Sequence, residues 1–208
     1  MTWHPEILTP RQRRVLALIG PSISRRGFFL AEGTAVALQL GHRRSVDFDW
    51  FTMDGFNPLD VAQELRDDGI AFTTGQVATG TLHGLVGGVR VSLIRHNYLL
   101  LAKLRNWHGG VRIAGRADLV AMKLAAIAQR GAKKDFVDIY ALGRRSDSLR
   151  RMLPWYQKKY ALADFSHLLR SLAYFDDADP ERLPRMLWDV KWRTMKTTIQ
   201  RWVENVPR

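Results

Sequence analysis

Apolar residues in this chain follow helical spacing at the start, alternate with polar ones through the middle of the first half, and return to helical spacing in the second half. Thr9 and Pro10 make a helix opening, a capping side chain followed by a first-turn proline. Val15, Leu16, Leu18 and Ile19 continue that helix until Gly20-Pro21, where it is expected to stop. Phe28 to Ala31 reads as a short buried strand. Gly33-Thr34 then turns the chain into an apolar helix from Ala35 to Leu40, closed by Gly41. Residues 45–51, Ser-Val-Asp-Phe-Asp-Trp-Phe, alternate as a strand does, which places Asp47 and Asp49 on one face. Asn57-Pro58 opens a helix running to about Asp68, with Gly69 as its stop, and strand-like runs follow at 71–74, 76–85 and 89–94, with a hairpin turn at Gly87-Gly88. From Asp118, the expected cap, the spacing is helical almost to the end, broken at Gly131 and punctuated by Pro154, Pro180 and Pro184. The fold class is therefore α+β, a mixed sheet with flanking helices followed by a helical C-terminal half. The change of period near Arg116 divides the chain into an α+β core, 1–116, and a helical region, 117–208. With no internal repeat and no Gly/Ser linker, one continuous core with an appendage is expected.

Composition narrows the classes. Of 208 residues, 46% are hydrophobic and 25% charged, the balance of a chain that folds alone. No run reaches the roughly 20 apolar residues of a membrane span, and the start MTWHPEILTPRQRR lacks the apolar core of a secretory signal, so no membrane partner and a cytoplasmic location are expected. The absence of cysteine excludes disulfides and thiolate metal sites, leaving oxygen or imidazole for any metal. The six histidines show no His-Glu-x-x-His spacing or close pair, which argues against zinc. A net charge of +12 favours a polyanionic partner such as RNA, although a basic balance also serves solubility.

Two carboxylates two apart on a strand project side by side, a donor set suited to hard divalent cations and to phosphoryl transfer. The same spacing also occurs on ordinary solvent-facing strands. Phe48, Trp50 and Phe51 are expected to anchor this strand through its other face. Upstream, Gly33-Thr34 offers close backbone approach and a helix N-terminus to a triphosphate, or else is simply a tight turn. In the second half, Lys123 and Arg130 are seven apart on one helix face, and Lys134 and Asp138 are an i, i+4 pair; both sets also suit solvated surface ion pairs. Near the C-terminus Trp188, Trp192 and Trp202 mix with Lys191, Arg193, Lys196 and Arg201, a combination fit for RNA stacking, although Trp188 and Trp192 four apart favour helix packing.

The stretch FFLAEGTAVALQLGHRRSVDFDWFT, Phe28 to Thr52, resembles the first motif of the AbiEii/AbiGii toxin nucleotidyltransferases, a family of the polymerase-beta-like superfamily. Gly33, Thr34, His42, Arg43, Ser45, Asp47 and Asp49 carry the resemblance. A second stretch, DLVAMKLAAIAQRGAKKDFVDIYAL, Asp118 to Leu142, is similar to that family's lysine helix and Lys-Asp-x-x-Asp, through Lys123, Arg130, Lys134, Asp135 and Asp138. The resemblance implies a polymerase-beta-like nucleotidyltransferase that moves NMP from NTP, with magnesium or manganese on Asp47 and Asp49. It implies Gly33, Thr34, Ser45 and Arg130 as nucleotide-binding residues, Lys123 as catalytic, and Asp138 as the base or third ligand, favoured over Asp135. It further implies an RNA acceptor such as the tRNA 3′ end, a role as a toxin or in phage defence, and a cognate antitoxin. Two departures stand out: Glu32 replaces a glycine frequent in the family, placing an acid near the phosphate path, and the strand at Val89 to Ile94 has Ser92 and no acid. Those departures motivate one rival, a catalytically weakened relative that only binds nucleic acid or a partner protein; a second rival is an enzyme that nucleotidylates a protein, which the same fold would serve.

Overall fold

The computed structural model describes residues 2–144 and 149–207. Helix α1 (Pro10–Arg25) begins with a capping box: Thr9 Oγ1 accepts from the Gln12 amide at 3.2 Å and the Gln12 side chain accepts from the Thr9 amide at 2.9 Å. It does not stop at Gly20-Pro21 but continues to Arg25. Pro21 removes a single helical donor, and Gly20 permits contact with the sheet, since a Cβ there would lie 2.5 Å from Val111 Cγ2.

Seven strands form one sheet: β1 (Phe29–Leu30), β2 (Phe48–Thr52), β3 (Phe72–Ala78), β4 (Thr81–Val86), β5 (Val89–Arg95), β6 (Arg105–Trp107) and β7 (Val111–Ile113). Their order is β3-β4-β5-β2-β1-β7-β6. β2 runs parallel to β5 and β1 parallel to β7, while the remaining neighbours are antiparallel, so the sheet is mixed as expected. The run expected at 76–85 divides between β3 and β4, because Gly80 adopts φ 64° and turns the chain. β6 and β7, three residues each, are too short to show a period.

The other helices are α2 (Glu32–Leu40), α3 (Pro58–Asp67), α4 (Arg116–Arg130), α5 (Lys133–Gly143), α6 (Leu149–Tyr160), α7 (Ser166–Ala173) and α8 (Trp192–Glu204). Gly33 and Thr34 lie inside the first turn of α2, not in a turn ahead of it. Asp118 is not a cap: it is buried in the first turn of α4, accepts from the Leu101 and Ala102 amides, and pairs with Lys159 at 2.8 Å. α6 runs through Pro154, whereas Pro180 and Pro184 fall in residues 174–191, which leave helical geometry. That segment straps the β1–β2 connection: the Arg44 amide donates to Arg185 O at 2.8 Å and the Leu187 amide to His42 O at 2.9 Å. Trp188 therefore precedes α8 and shares no helix face with Trp192. Its ring meets His42, while Trp192 meets Phe136 and Phe175 and Trp202 meets Tyr140, which are packing roles.

One apolar cluster extends from Ile7 through the sheet to Ile199, with α2 packed against both α4 and α5. Among the described residues no helix is long and apolar enough to cross a membrane.

Candidate active site

β1 and β2 pair antiparallel with Phe29 opposite Phe51 and Leu30 opposite Trp50, and α2 fills the connection between them. The Ala31 amide donates to Asp49 O at 3.0 Å, so α2 starts beside Asp49. Thr34 Oγ1 donates to Asp47 O at 2.5 Å, tying the first turn of α2 to the residue that leads into β2. Gln12 Nε2 donates to Ser45 O at 2.7 Å, so the residue that caps α1 also fixes the approach to the aspartates. Gly33, Ser45, Asp47, Asp49, Lys123 and Arg130 line one cavity together with Glu32. Buried Thr34 and Asp138 do not line it. Phe51 does, as alternation from Asp47 and Asp49 requires, and so it is not on the anchoring face with Phe48 and Trp50.

The carboxylates of Asp47, just ahead of β2, and Asp49, within it, have little fixed positive charge on them. Asp47 receives Arg90 in a fork, at 2.7 and 3.1 Å, but the Arg90 side chain is 71% exposed, so the pair is weak. Asp49 faces Ser92 across the parallel β2/β5 register. Burial pushes the Asp49 carboxyl above its usual range, the negative charges of Glu32 and Asp47 add to that, and Ser92 and Lys123 relieve it only in part. Among the described residues no three His, Asp or Glu converge on one point. With Glu32 turned onto Lys123, the carboxylates offered to an ion are those of Asp47 and Asp49, which suits an ion such as magnesium that completes its shell with substrate phosphate and water.

Behind this cavity the charges are compensated. Asp138, fully buried, accepts from Arg43 Nε at 2.6 Å and Nη2 at 2.8 Å and from His42 Nε2 at 2.8 Å, with Lys123 Nζ at 3.1 Å. Burial alone would raise its pKa, yet Arg43, Lys123 and His42 hold it well below the usual carboxylate range. Burial lowers His42 despite that carboxylate, so a neutral ring donates the bond. Asp135 accepts from Lys123 at 2.9 Å and from Arg130 at 2.8 and 3.0 Å. Burial opposes its ionisation too, and the two cations outweigh it. Lys123 is buried, but the Glu32, Asp138 and Asp135 carboxylates overcome the burial and keep it charged. The geometry does not suit Asp138 to the base or third-ligand role, because its oxygens are consumed by cations and never reach the cavity.

Sequence reasoning raised Glu32 only as a possible obstruction. Its backbone is left-handed, φ 55°, a conformation that glycine adopts freely and that costs a non-glycine residue about 1 kcal/mol or more. Its carboxylate points into the cavity, 2.5 Å from Lys123 Nζ and 4.0 Å from Arg130. Arg43 and Arg90 were not assigned partners from sequence. The His-Arg pair was visible, but Arg90 carried no signal, because its contact with Asp47 depends on strand order.

This sheet and helix arrangement is the polymerase-beta-like nucleotidyltransferase fold. MenT4, a nucleotidyltransferase toxin from Mycobacterium tuberculosis H37Rv, superposes with a TM-score of 0.61 at 14% identity, covering 93% of this chain and 83% of that one. A candidate nucleotidyltransferase from H. pylori superposes with a TM-score of 0.58 at 14% identity, covering 95% of both chains. No family model matches the chain. Within that fold, it belongs to the same family as the uncharacterized protein aq_aa25 of Aquifex aeolicus (strain VF5), with 35% identity over 184 residues, 86% of this chain and 89% of the relative.

Proposed function

We propose that the chain is a metal-dependent nucleotidyltransferase of AbiEii type, moving NMP from NTP to an RNA acceptor such as the tRNA 3′ end, as the toxin of a toxin–antitoxin or phage-defence pair. The observation that carries this reading is the under-neutralised Asp47–Asp49 pair at the start of α2, inside a cavity that also holds Lys123 and Arg130. Asp47 and Asp49 would hold magnesium or manganese, which supplies charge neutralisation at the reacting phosphate. Gly33 and Ser45 border the path of the triphosphate at the α2 N-terminus, and Arg130, whose Nε and Nη2 hold Asp135, turns its remaining N–H groups to the triphosphate oxygens. Lys123 supplies positive charge once Glu32 yields it. Thr34 steadies Asp47, and Asp138 acts from behind by holding Arg43 and Lys123. An acceptor hydroxyl oxygen attacks the α-phosphorus, the bond to the bridging oxygen of the β-phosphate breaks, pyrophosphate leaves and the hydroxyl proton is released. The net charge of +12 supports the RNA acceptor, and the likeness to a toxin supports an antitoxin partner.

The test is incubation of the purified chain with each α-labelled NTP, magnesium, total RNA and cell lysate. Label on RNA, absent with Asp49→Asn, is expected; label on a protein band would move the acceptor to protein. A second reading, nucleotide or nucleic-acid binding without transfer, rests on the Glu32–Lys123 contact and on Ser92 in place of an acid. It predicts no label, yet a rise in Tm when NTP and magnesium are added. Neither label nor a Tm rise would overturn both.

A further inference from the structure

Beside the carboxylate cavity lies a second one that shares Glu32, Phe51 and Arg130 with it; rings of His96, Tyr98, Tyr156, Tyr160 and His167 line one part of it, and Met122, Leu162, Gln129 and the α4 alanines the rest. The rings form a continuous series. Phe51, two residues along β2 from Asp49, meets His96 at 5.7 Å, His96 meets Tyr98 at 5.3 Å, and Tyr98 meets Tyr160 at 4.6 Å. Tyr160 meets Tyr156 at 5.2 Å, and Tyr156 Oη lies 3.0 Å from His167 Nε2. The elements that bring them together are locked from below. Lys159, next to Tyr160 on α6, bonds Leu99 O at 3.1 Å and Asp118 at 2.8 Å, and Asp118 takes the Leu101 and Ala102 amides. This buried pair clamps the loop carrying His96 and Tyr98 against α4 and α6.

The two cavities differ in chemistry. The first offers cations and carboxylates, whereas the second, away from the shared Glu32 and Arg130, offers tyrosine and aliphatic faces and a His96 ring that burial and Lys159 push down to about 4 and leave neutral at pH 7. A ligand that spans both must be anionic at one end and flat and aromatic at the other. Two residues of strand separate Asp49 from Phe51, about 7 Å, the scale of a ribose between a phosphate and its base.

We infer that the ring-lined cavity between Phe51 and Tyr160 receives a nucleobase, with Tyr98 and Tyr160 as its stacking faces. This rests on the nucleotidyltransferase reading for the phosphate end. The base belongs either to the NTP or to the terminal nucleotide of the acceptor. Stacking on aromatic faces is worth about tenfold or more in affinity per base. Tyr98 is 44% exposed, so Tyr98→Leu leaves the core intact, and Tyr160→Leu provides a second variant.

Binding of the full chain in magnesium is measured by calorimetry for the four NTPs, inorganic tripolyphosphate and a short single-stranded RNA without a 5′ phosphate. The best NTP is expected to bind about tenfold or more tightly than tripolyphosphate, and both tyrosine variants are expected to erase most of that gap without changing tripolyphosphate affinity. A tyrosine effect on RNA alone assigns the base to the acceptor. Equal binding of NTP and tripolyphosphate, with RNA indifferent to both variants, overturns the inference and leaves the phosphate site standing. Failure of every triphosphate to bind, with tyrosine-dependent RNA binding, overturns the phosphate site and keeps the base pocket. No binding by any probe overturns both.

Discussion

Asp47 with Asp49, and Asp135 with Asp138, are two aspartate pairs that meet opposite fates around one lysine. The β2 pair opens to a cavity, with one exposed arginine on Asp47 and a carboxyl on Asp49 that burial and neighbouring acids make hard to ionise. The α5 pair is buried, yet Lys123, Arg130, Arg43 and His42 saturate it. Burial alone therefore does not distinguish the two pairs; the shortage of fixed positive charge around Asp47 and Asp49 does. A missing charge is what a metal ion and a nucleotide can supply, whereas a saturated pair has nothing left to offer a ligand.

The largest effect that would break this comparison is on chemistry. Asp47→Asn and Asp49→Asn should each remove the charge that holds the ion, a loss of several kcal/mol of transition-state stabilisation and so about a thousandfold or more in label transfer. Metal-free Tm should be unchanged or slightly higher. Transfer at the parent rate in both variants would show that β2 is not the catalytic strand.

Next in size is Asp138→Asn, which strips Arg43 and Lys123 of their shared buried counter-charge. Leaving buried cations uncompensated costs about 3–5 kcal/mol, which corresponds to a fall of roughly 10 °C in a domain of this size. Thermal melting in metal-free buffer measures it, and a variant within about 2 °C of the parent would erase the contrast between the pairs.

What was legible in the sequence follows the same divide. Strand alternation put Asp47 and Asp49 on one face, Thr9-Pro10 and Asn57-Pro58 located the starts of α1 and α3, and Gly41 and Gly69 the ends of α2 and α3, because those signals are local. The α1 end was misplaced because Gly20 serves a contact with Val111, 91 positions away, which local spacing does not contain. The role of Lys123 was hidden for the same reason. As a lysine on the same helix face as Arg130 it suited a phosphate contact or a surface ion pair, and only the packing of α4 against α5 and α2 shows it held by Asp135, Asp138 and Glu32. The left-handed Glu32 was visible as a missing glycine, but where its carboxylate points was not.

A smaller effect concerns Gly33. Its own backbone does not require glycine, since the left-handed residue is Glu32 beside it. A Cβ at Gly33 would instead lie 2.5 Å from Arg43 Nη2, the group bound to Asp138. Gly33→Ala should therefore lower stability by about 1–3 kcal/mol through overpacking, in addition to weakening nucleotide binding. Denaturant unfolding checks the first part. A variant of unchanged stability would show that the guanidinium moves aside freely, and would detach Gly33 from the buried pair.

The smallest effect is the most diagnostic, because its sign separates the two pairs. In metal-free buffer the folded Asp49 carboxyl titrates above the ordinary value of 3.8 that it keeps when unfolded. Between those two points the native state holds a proton that the unfolded state has lost, so stability falls as pH rises through that window, and the penalty is complete above it. Asp49→Asn carries no such proton. The unfolding free energy of the variant minus that of the parent should therefore grow as pH rises from below 3.8 toward neutral and then level off. Asp138 runs the other way: its folded carboxyl titrates well below 3.8, so its contribution is present above that value and is lost as pH falls toward the folded one. Urea unfolding of parent and Asp49→Asn at a series of pH values reads the slope directly. Adding magnesium at pH 7 should then stabilise the parent and not the variant, since an ion that binds only the native state shifts folding by mass action. A gap that shrinks with rising pH would mean that Asp49 is held by native cations as Asp138 is, and the β2 pair would then have no charge deficit for a metal to fill.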